Sequence, residues 1–132
     1  MGHFRSVEEA REYFKNDLFA MQAGVRLDEM WDGGCVCSMP VQDMHKNAAG
    51  GIMGGAIFTL ADFAFAVASN HTHHTTVAQQ VSINFLSGTR GTRLFARAQC
   101  KKDGKTTCVY NIDVTDDLGR DIAQFVGTGY KL

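Results

Sequence analysis

The sequence predicts an α+β domain in which one antiparallel sheet partly wraps one buried helix. Three observations lead there. The stretch GGAIFTLADFAFAVA, residues 54–68, is apolar on nearly every side and holds a single charge, Asp62. From residue 77 onward the texture changes to period two: Val77, Gln79, Val81, Ile83 and Phe85 alternate with Ala78, Gln80, Ser82, Asn84 and Leu86. The links between the later segments are too short for parallel crossovers, so those segments form an antiparallel meander.

The elements follow in order. Ser6-Val7-Glu8-Glu9 fits a capping box, and Val7, Ala10, Phe14, Leu18 and Met21 recur at helical spacing. An amphipathic helix is therefore expected over about 7–21, with Gly24 ending it. Residues 25–41 read as two strand segments around a turn or bulge at Gly33-Gly34, and a glycine-rich loop, DMHKNAAGGIM, leads into the apolar helix. Further strands are expected near 77–86, 93–101, 106–115 and 121–131. Asp103-Gly104 is a two-residue hairpin signal, Asp116-Asp117-Leu118-Gly119 a second tight turn, and Ser87–Gly91 a third connection. A helix apolar all round must be covered on every side, which one sheet cannot do. The remainder falls to a second copy, so self-association is expected.

Composition narrows the function. The chain has 132 residues, 45% hydrophobic and 20% charged, and a formal net charge of -1. That size suits one domain, and that balance gives no reason to expect nucleic-acid or membrane binding. The first residues are charged and helix-like rather than a leader, and the longest apolar run is interrupted by Asp62, so a cytoplasmic protein is expected. Cys35, Cys37, Cys100 and Cys108 form no C-x-x-C pair and read as reduced packed thiols. His71, His73 and His74 invite a metal reading, but no carboxylate stands close by in sequence, and no metal or other cofactor is expected. Neither a dinucleotide fingerprint nor a P-loop is present.

Asp62 is the anomaly. An ionised carboxylate in a dry core costs several kcal/mol unless it is paired or hydrogen-bonded. It stands either at a wet edge, bonded locally, or in a functional site. Gly54 and Gly55 sharpen the choice. A helix start presents unpaired N–H groups and positive dipole charge, and glycines there let a ligand oxygen approach closely. Such a pair of amides can polarise a carbonyl. Asp62 follows Gly54 by eight residues, about 12 Å along a helix, too far to attack a carbonyl held at its own helix start. Cooperation between the two requires two subunits.

The pattern Asn47-x-x-Gly50-x-x-Met53-Gly54-Gly55-x-x-x-x-Leu60-x-Asp62 resembles the signature of hot-dog-fold acyl-CoA thioesterases of the phenylacetate-pathway type. The resemblance extends over about residues 15–132, through Ser82–Leu86, Gly104–Tyr110 and the ending GTGYKL. It implies a curved antiparallel sheet around one long helix, paired into homodimers and commonly homotetramers. It also implies hydrolysis of an acyl-CoA, aryl-acyl or of short to medium chain, to the free acid and coenzyme A. The amide at Gly54 would hold the thioester oxygen. Asp62 of the neighbouring subunit would be nucleophile or general base, and Asn47 would orient water or the leaving group. Met53, Gly55, Ser82 and Asn84 would border the substrate. Arg90, Gly104, Lys105 and Thr106 would lie near the nucleotide, with some of the six basic residues at 90–105 meeting its phosphates.

Two positions depart from the family pattern. Met53 stands where a histidine is usual, and a thioether donates no hydrogen bond. Ala78 stands where some relatives carry a serine. These departures leave a second reading, a non-catalytic acyl-CoA binding or sensing protein on the same scaffold. A dehydratase would want a histidine acting with an acid, and His45 is wrongly spaced for it.

Overall fold

The computed structural model describes residues 2–132. Its helices are α1 (Val7–Phe14), α2 (Leu18–Ala23) and α3 (Gly54–Thr72). Its strands are β1 (Arg26–Trp31), β2 (Gly34–Pro40), β3 (Thr76–Phe85), β4 (Arg93–Asp103), β5 (Thr107–Asp116) and β6 (Asp121–Lys131). The six strands form one sheet in the order β1-β2-β4-β5-β6-β3, with every neighbouring pair antiparallel. The α3 helix touches all six strands. This is the hot-dog architecture that the sequence motif implies.

The N-terminal helix is not continuous. Ser6 caps α1 by accepting the Glu9 N–H at 3.1 Å, as expected, but the helix stops at Phe14 and restarts at Leu18. Asn16 and Asp17 are the reason: both are weak helix formers whose side chains compete for backbone groups, and Asn16 Nδ2 donates to Tyr13 O at 3.1 Å. Gly24, at φ 88°, closes α2 in the left-handed conformation that favours glycine. The break leaves Leu18 and Phe19 on the surface, 68% and 78% exposed.

Two turns also differ from their sequence reading. The β4–β5 turn is centred on Lys105-Thr106, because the Gly104 N–H pairs with Thr107 O at 2.9 Å and Asp103 still belongs to β4. Ser87–Gly91 does not join neighbouring strands. It carries the chain from β3, at the sheet edge beside β6, past β6 and β5 to β4. Only β4-β5-β6 is a true meander.

The Asp116–Gly119 turn forms as expected, with Gly119 at φ 83°. Asp116 accepts the N–H groups of Leu118 and Arg120 at 3.0 and 2.9 Å, and the Thr89 hydroxyl at 2.6 Å. The Thr89 hydroxyl and then these amides hold its carboxyl below the usual range. A depressed folded value means the stabilisation is present above pH about 3.9 and is lost as pH falls through the lowered value. Asp116→Ala is therefore expected to lower Tm at pH 7. The gap from wild type should close on acidification, a result that thermal unfolding at pH 7 and pH 3 checks.

Packing of α3 on the sheet is close. Leu60, Ala61, Ala64, Val67 and Ala68 are wholly buried, and Phe65 stands edge-on to Tyr110 with ring centres 5.8 Å apart. One stripe stays uncovered: Gly55 and Phe58 are exposed, and Thr59, Asp62 and Ala66 are half-buried. The charge in the apolar helix lies on that stripe. No helix among the described residues is long and apolar enough to cross a membrane.

Candidate functional site

The start of α3 is prepared by the loop before it. The Met53 N–H donates to His45 O at 2.7 Å, and Met53 has extended backbone (φ -63°, ψ 135°), so Gly54 is the first helical residue. The N–H groups of Gly54 and Gly55 find no partner among the described residues, as the first amides of a helix do not. Each glycine is overlain by a side chain. A methyl group on Gly54 would come within 2.9 Å of the Phe85 ring, and one on Gly55 would lie 3.5 Å from Met53 Cε. The bare backbone at Gly54 thus serves packing against β3 as well as access to the amide. Beside it is a cavity of about 410 Å³ lined by Ile52, Gly54, Ile57, Phe85, the loop 86–89 and Ile122.

Asp62 sits two turns further along, in a different cavity of about 300 Å³. Its walls are Phe58, Thr59, Phe63 and Ala66 from α3, and Asp17 through Ala20 from the start of α2. Burial, and then the negative charge of Asp17, push the Asp62 pKa above the ordinary carboxylate range. Burial raises that of Asp17 too. A carboxylate of raised proton affinity is a stronger general base. Within one chain Gly54 and Asp62 share no cavity, as the helical spacing requires.

The other sequence-selected residues are dispersed. Asn47 lies in the loop before α3, where its Oδ1 accepts the Ala49 and Gly51 N–H groups at 3.0 and 3.1 Å. Its amide nitrogen has no partner among the described residues. Ser82 and Asn84 are exposed on β3, in register with Val126 and Gln124 of β6, and line neither cavity. Arg90 is exposed, next to Thr89 of the Gly54 cavity. Gly104, Lys105 and Thr106 are at the opposite end of β4, whose 11 residues span about 35 Å. The six basic residues at 90–105 are thus no single patch. Arg93 donates to Ser38 Oγ at 2.8 Å, and Arg97 lies over the Trp31 ring at 4.8 Å.

The histidines do not converge either. His71 Nδ1 accepts the Phe4 N–H, His73 meets the Tyr110 hydroxyl at 3.0 Å, and His74 stacks on His3. Among the described residues no group of three or more His, Cys, Asp or Glu could hold a metal ion. All four cysteines are free thiols.

Asp17, Phe19 and Thr59 escaped the sequence reading. Phe19 and Thr59 line both the Asp62 cavity and a third one beside Gly55. For Asp17 and Phe19 a break between Phe14 and Leu18 was the needed clue, and Asn16-Asp17 was its trace in the sequence; Thr59 follows from its helical spacing to Gly55 and Asp62.

Comparison with known proteins agrees with this fold. Residues 49–123 match the family model of the thioesterase superfamily. The acyl-coenzyme A thioesterase PaaI of Escherichia coli K12 is 33% identical over 133 residues, covering 100% of this chain and 94% of that one. The solved structure of E. coli PaaI, from the phenylacetic acid degradation operon, superposes with a TM-score of 0.89 at 32% identity, covering 95% and 91% of the two chains. A hypothetical thioesterase protein from Streptococcus pneumoniae TIGR4, crystallised with coenzyme A, superposes with a TM-score of 0.81 at 29% identity, covering 89% and 94%. The chain belongs to the thioesterase superfamily and is a hot-dog-fold thioester hydrolase.

Proposed function

We propose that the chain hydrolyses acyl-CoA thioesters to a free acid and coenzyme A in sites shared between two copies. The Gly54 N–H of one copy polarises the thioester carbonyl. Asp62 of the other takes a proton from water as the water oxygen bonds to the carbonyl carbon, or attacks that carbon itself. The carbon–sulfur bond then breaks and the departing thiolate takes a proton from Asp62 or from solvent; where Asp62 itself attacked, water hydrolyses the resulting anhydride to the free acid and restores the carboxylate. Asn47, with its amide nitrogen unengaged, donates to the water or to the leaving sulfur. Met53 accepts weakly and donates nothing, so the backbone amide carries carbonyl activation.

The observation that carries this reading is the uncovered stripe of α3, which bears a half-buried acid of raised proton affinity beyond an unpaired helix start. The outer edge of β3 supports pairing: ten residues long, bonded on one side only to β6, and carrying exposed Val77 and Phe85. Such an edge is a ready template for a second strand. Arg90 and the Lys105-Thr106 turn, at opposite ends of β4, would meet one nucleotide only as residues of different copies. Further pairing to a tetramer and a cytoplasmic location belong to the same reading, and the free thiols fit a reducing compartment. The coenzyme A in the S. pneumoniae relative and the activity named for PaaI support the substrate class.

Intersubunit complementation tests it. Gly54→Pro deletes the donor without breaking the helix, since proline is tolerated at the first helical position and the extended Met53 suits a residue preceding it; its Cβ would meet the Phe85 ring at 2.9 Å, but that ring is exposed and can swing aside. Loss of one such donor is expected to cost about 100- to 1000-fold in kcat. Mixing inactive Gly54→Pro with inactive Asp62→Asn should restore about a quarter of wild-type activity, because half of the random dimers hold one intact site. No recovery after verified subunit exchange would exclude a shared site.

A further inference from the structure

A fourth cavity, of about 260 Å³, lies between the N-terminal helices and the edge strand β1. Its floor is Phe14, Val25, Leu27 and Phe63, all buried, with the Phe14 and Phe63 rings edge-on and their centres 5.6 Å apart. Half-buried Met21 forms one flank. Two arginines complete the lining, Arg11 from α1 and Arg26 from β1. Arg11 is held in place because its Nε donates to Leu27 O at 2.8 Å. Its Nη1 and Nη2 have no hydrogen-bond partner among the described residues, and neither do those of Arg26. Asp28 Oδ1, 3.5 Å from Arg26 Nε, offsets part of that charge, so Arg11 is the stronger anchor for an anion.

We infer that this cavity is a binding site for a free monocarboxylic acid with a hydrocarbon tail, held apart from Gly54 and Asp62. Charge sets the head group, since a guanidinium offers paired donors that match the two oxygens of a carboxylate. The floor sets the tail: it is phenyl, isopropyl and isobutyl, with no polar side chain to meet a substituent. Size sets its length. An apolar cavity of about 150 Å³ holds a benzene molecule, so one of about 260 Å³ accepts a tail of about eight carbons. A second carboxylate at the tail end would be driven onto Phe14 and Phe63 as an unpaired buried charge, which is strongly disfavoured. The acid that thioester hydrolysis releases belongs to this ligand class, and Phe63 borders both this cavity and that of Asp62. The site stands on its own lining, however, and does not depend on the thioesterase reading.

The test is calorimetric titration of the full chain with octanoate, butyrate, octanedioate and octanamide, with inorganic phosphate as an anion that has no tail. Octanoate is expected to bind at least tenfold more tightly than each of the others. Arg11→Gln should weaken octanoate at least tenfold and leave octanamide unchanged. Arg26 is exposed, so Arg26→Gln should fold normally and weaken octanoate a few-fold. An octanoate analogue with a photoactivatable diazirine at the tail end gives the location. It should label Phe14, Met21 or Val25, and octanoate but not coenzyme A should suppress the labelling. Label confined to Phe58, Thr59 or Asp62 would place the acid in the Asp62 cavity and overturn the inference. So would the absence of saturable octanoate binding, equal binding of octanoate and octanamide, or an affinity that neither arginine substitution moves. None of these readouts needs turnover, so an inactive protein would sink the thioesterase reading and leave this site intact.

Discussion

Asp62→Asn is expected to lower kcat for acyl-CoA hydrolysis about 1000-fold, in the range that loss of a general base produces, while substrate affinity stays within a few-fold. Asparagine keeps the shape of the side chain but neither accepts a proton from water nor attacks a carbonyl. The fold should not suffer. The Asp62 pKa is raised in the folded chain by burial and by Asp17, so ionised Asp62 opposes folding and protonated Asp62 does not. That penalty sets in as pH rises above about 3.9, the ordinary carboxylate value, and is complete above the raised folded value. Asp62→Asn should therefore match wild type near pH 4 and exceed it in Tm near pH 7.5. The activity of wild type should rise with pH over the interval in which folded Asp62 loses its proton. Thiol release, calorimetric binding and unfolding curves at the two pH values check these outcomes together. A variant that hydrolyses as fast as wild type would remove Asp62 from the mechanism. A wild type that binds acyl-CoA but never turns it over would favour a sensor. Single turnover in isotopically labelled water separates the two chemistries, since label enters Asp62 only if the carboxylate itself attacks.

Gly129→Val is expected to be the most damaging single change to the fold. The β6 strand carries glycine at 127 and 129, and α3 rests Phe65 on the ledge they leave. A methyl group at Gly129 would stand 2.6 Å from Thr76 Cγ2, 2.8 Å from Cys108 Sγ and 3.1 Å from Phe65 Cζ. At Gly127 it would meet Phe65 at 2.9 Å. Thr76, Cys108 and Phe65 are buried, so none of them swings into solvent to make room. Overpacking of this kind costs about 3 kcal/mol, and valine adds two further methyl groups. For a chain of this size the loss should lower Tm by about 10 °C or more. Denaturant unfolding and thermal scans of Gly129→Val beside Gly129→Ala check the graded effect. A valine variant as stable as wild type would mean that α3 does not seat on β6 through Phe65.

The strands and the central helix were readable because each rests on a period that burial enforces. Val77 to Leu86 alternate along a sheet, and Ile57 to Val67 are apolar around a helix with strands against it. The Asp116–Gly119 turn was readable from Asp and Gly chemistry that acts within four residues. What escaped depended on distance. The sequence does not tell that β3 pairs with β6 rather than β4, since a seven-residue link looks the same whether it turns back or crosses two strand ends. At Asp103-Gly104 the dipeptide pointed to a turn, but register with Cys108 moved the bend to Lys105-Thr106. In the site, Gly54 and Asp62 were found from local anomalies, a bare helix start and a charge among apolar neighbours. Asp17 and Phe19 were not, because their place beside Asp62 and Gly55 comes from the way α2 folds back over α3. The basic residues misled for the opposite reason. Sequence proximity from 90 to 105 became about 35 Å of extended strand.

The interruption at Asn16-Asp17 has an evolutionary corollary. Leu18 and Phe19 project from a short helix laid outside the sheet, and they line the hollows beside Asp62 and Gly55 without supporting the core. Exchanging them reshapes what those hollows admit and leaves folding free energy almost untouched. Selection for a new metabolite can therefore act on this pair alone, with the sheet and its central helix inherited unchanged.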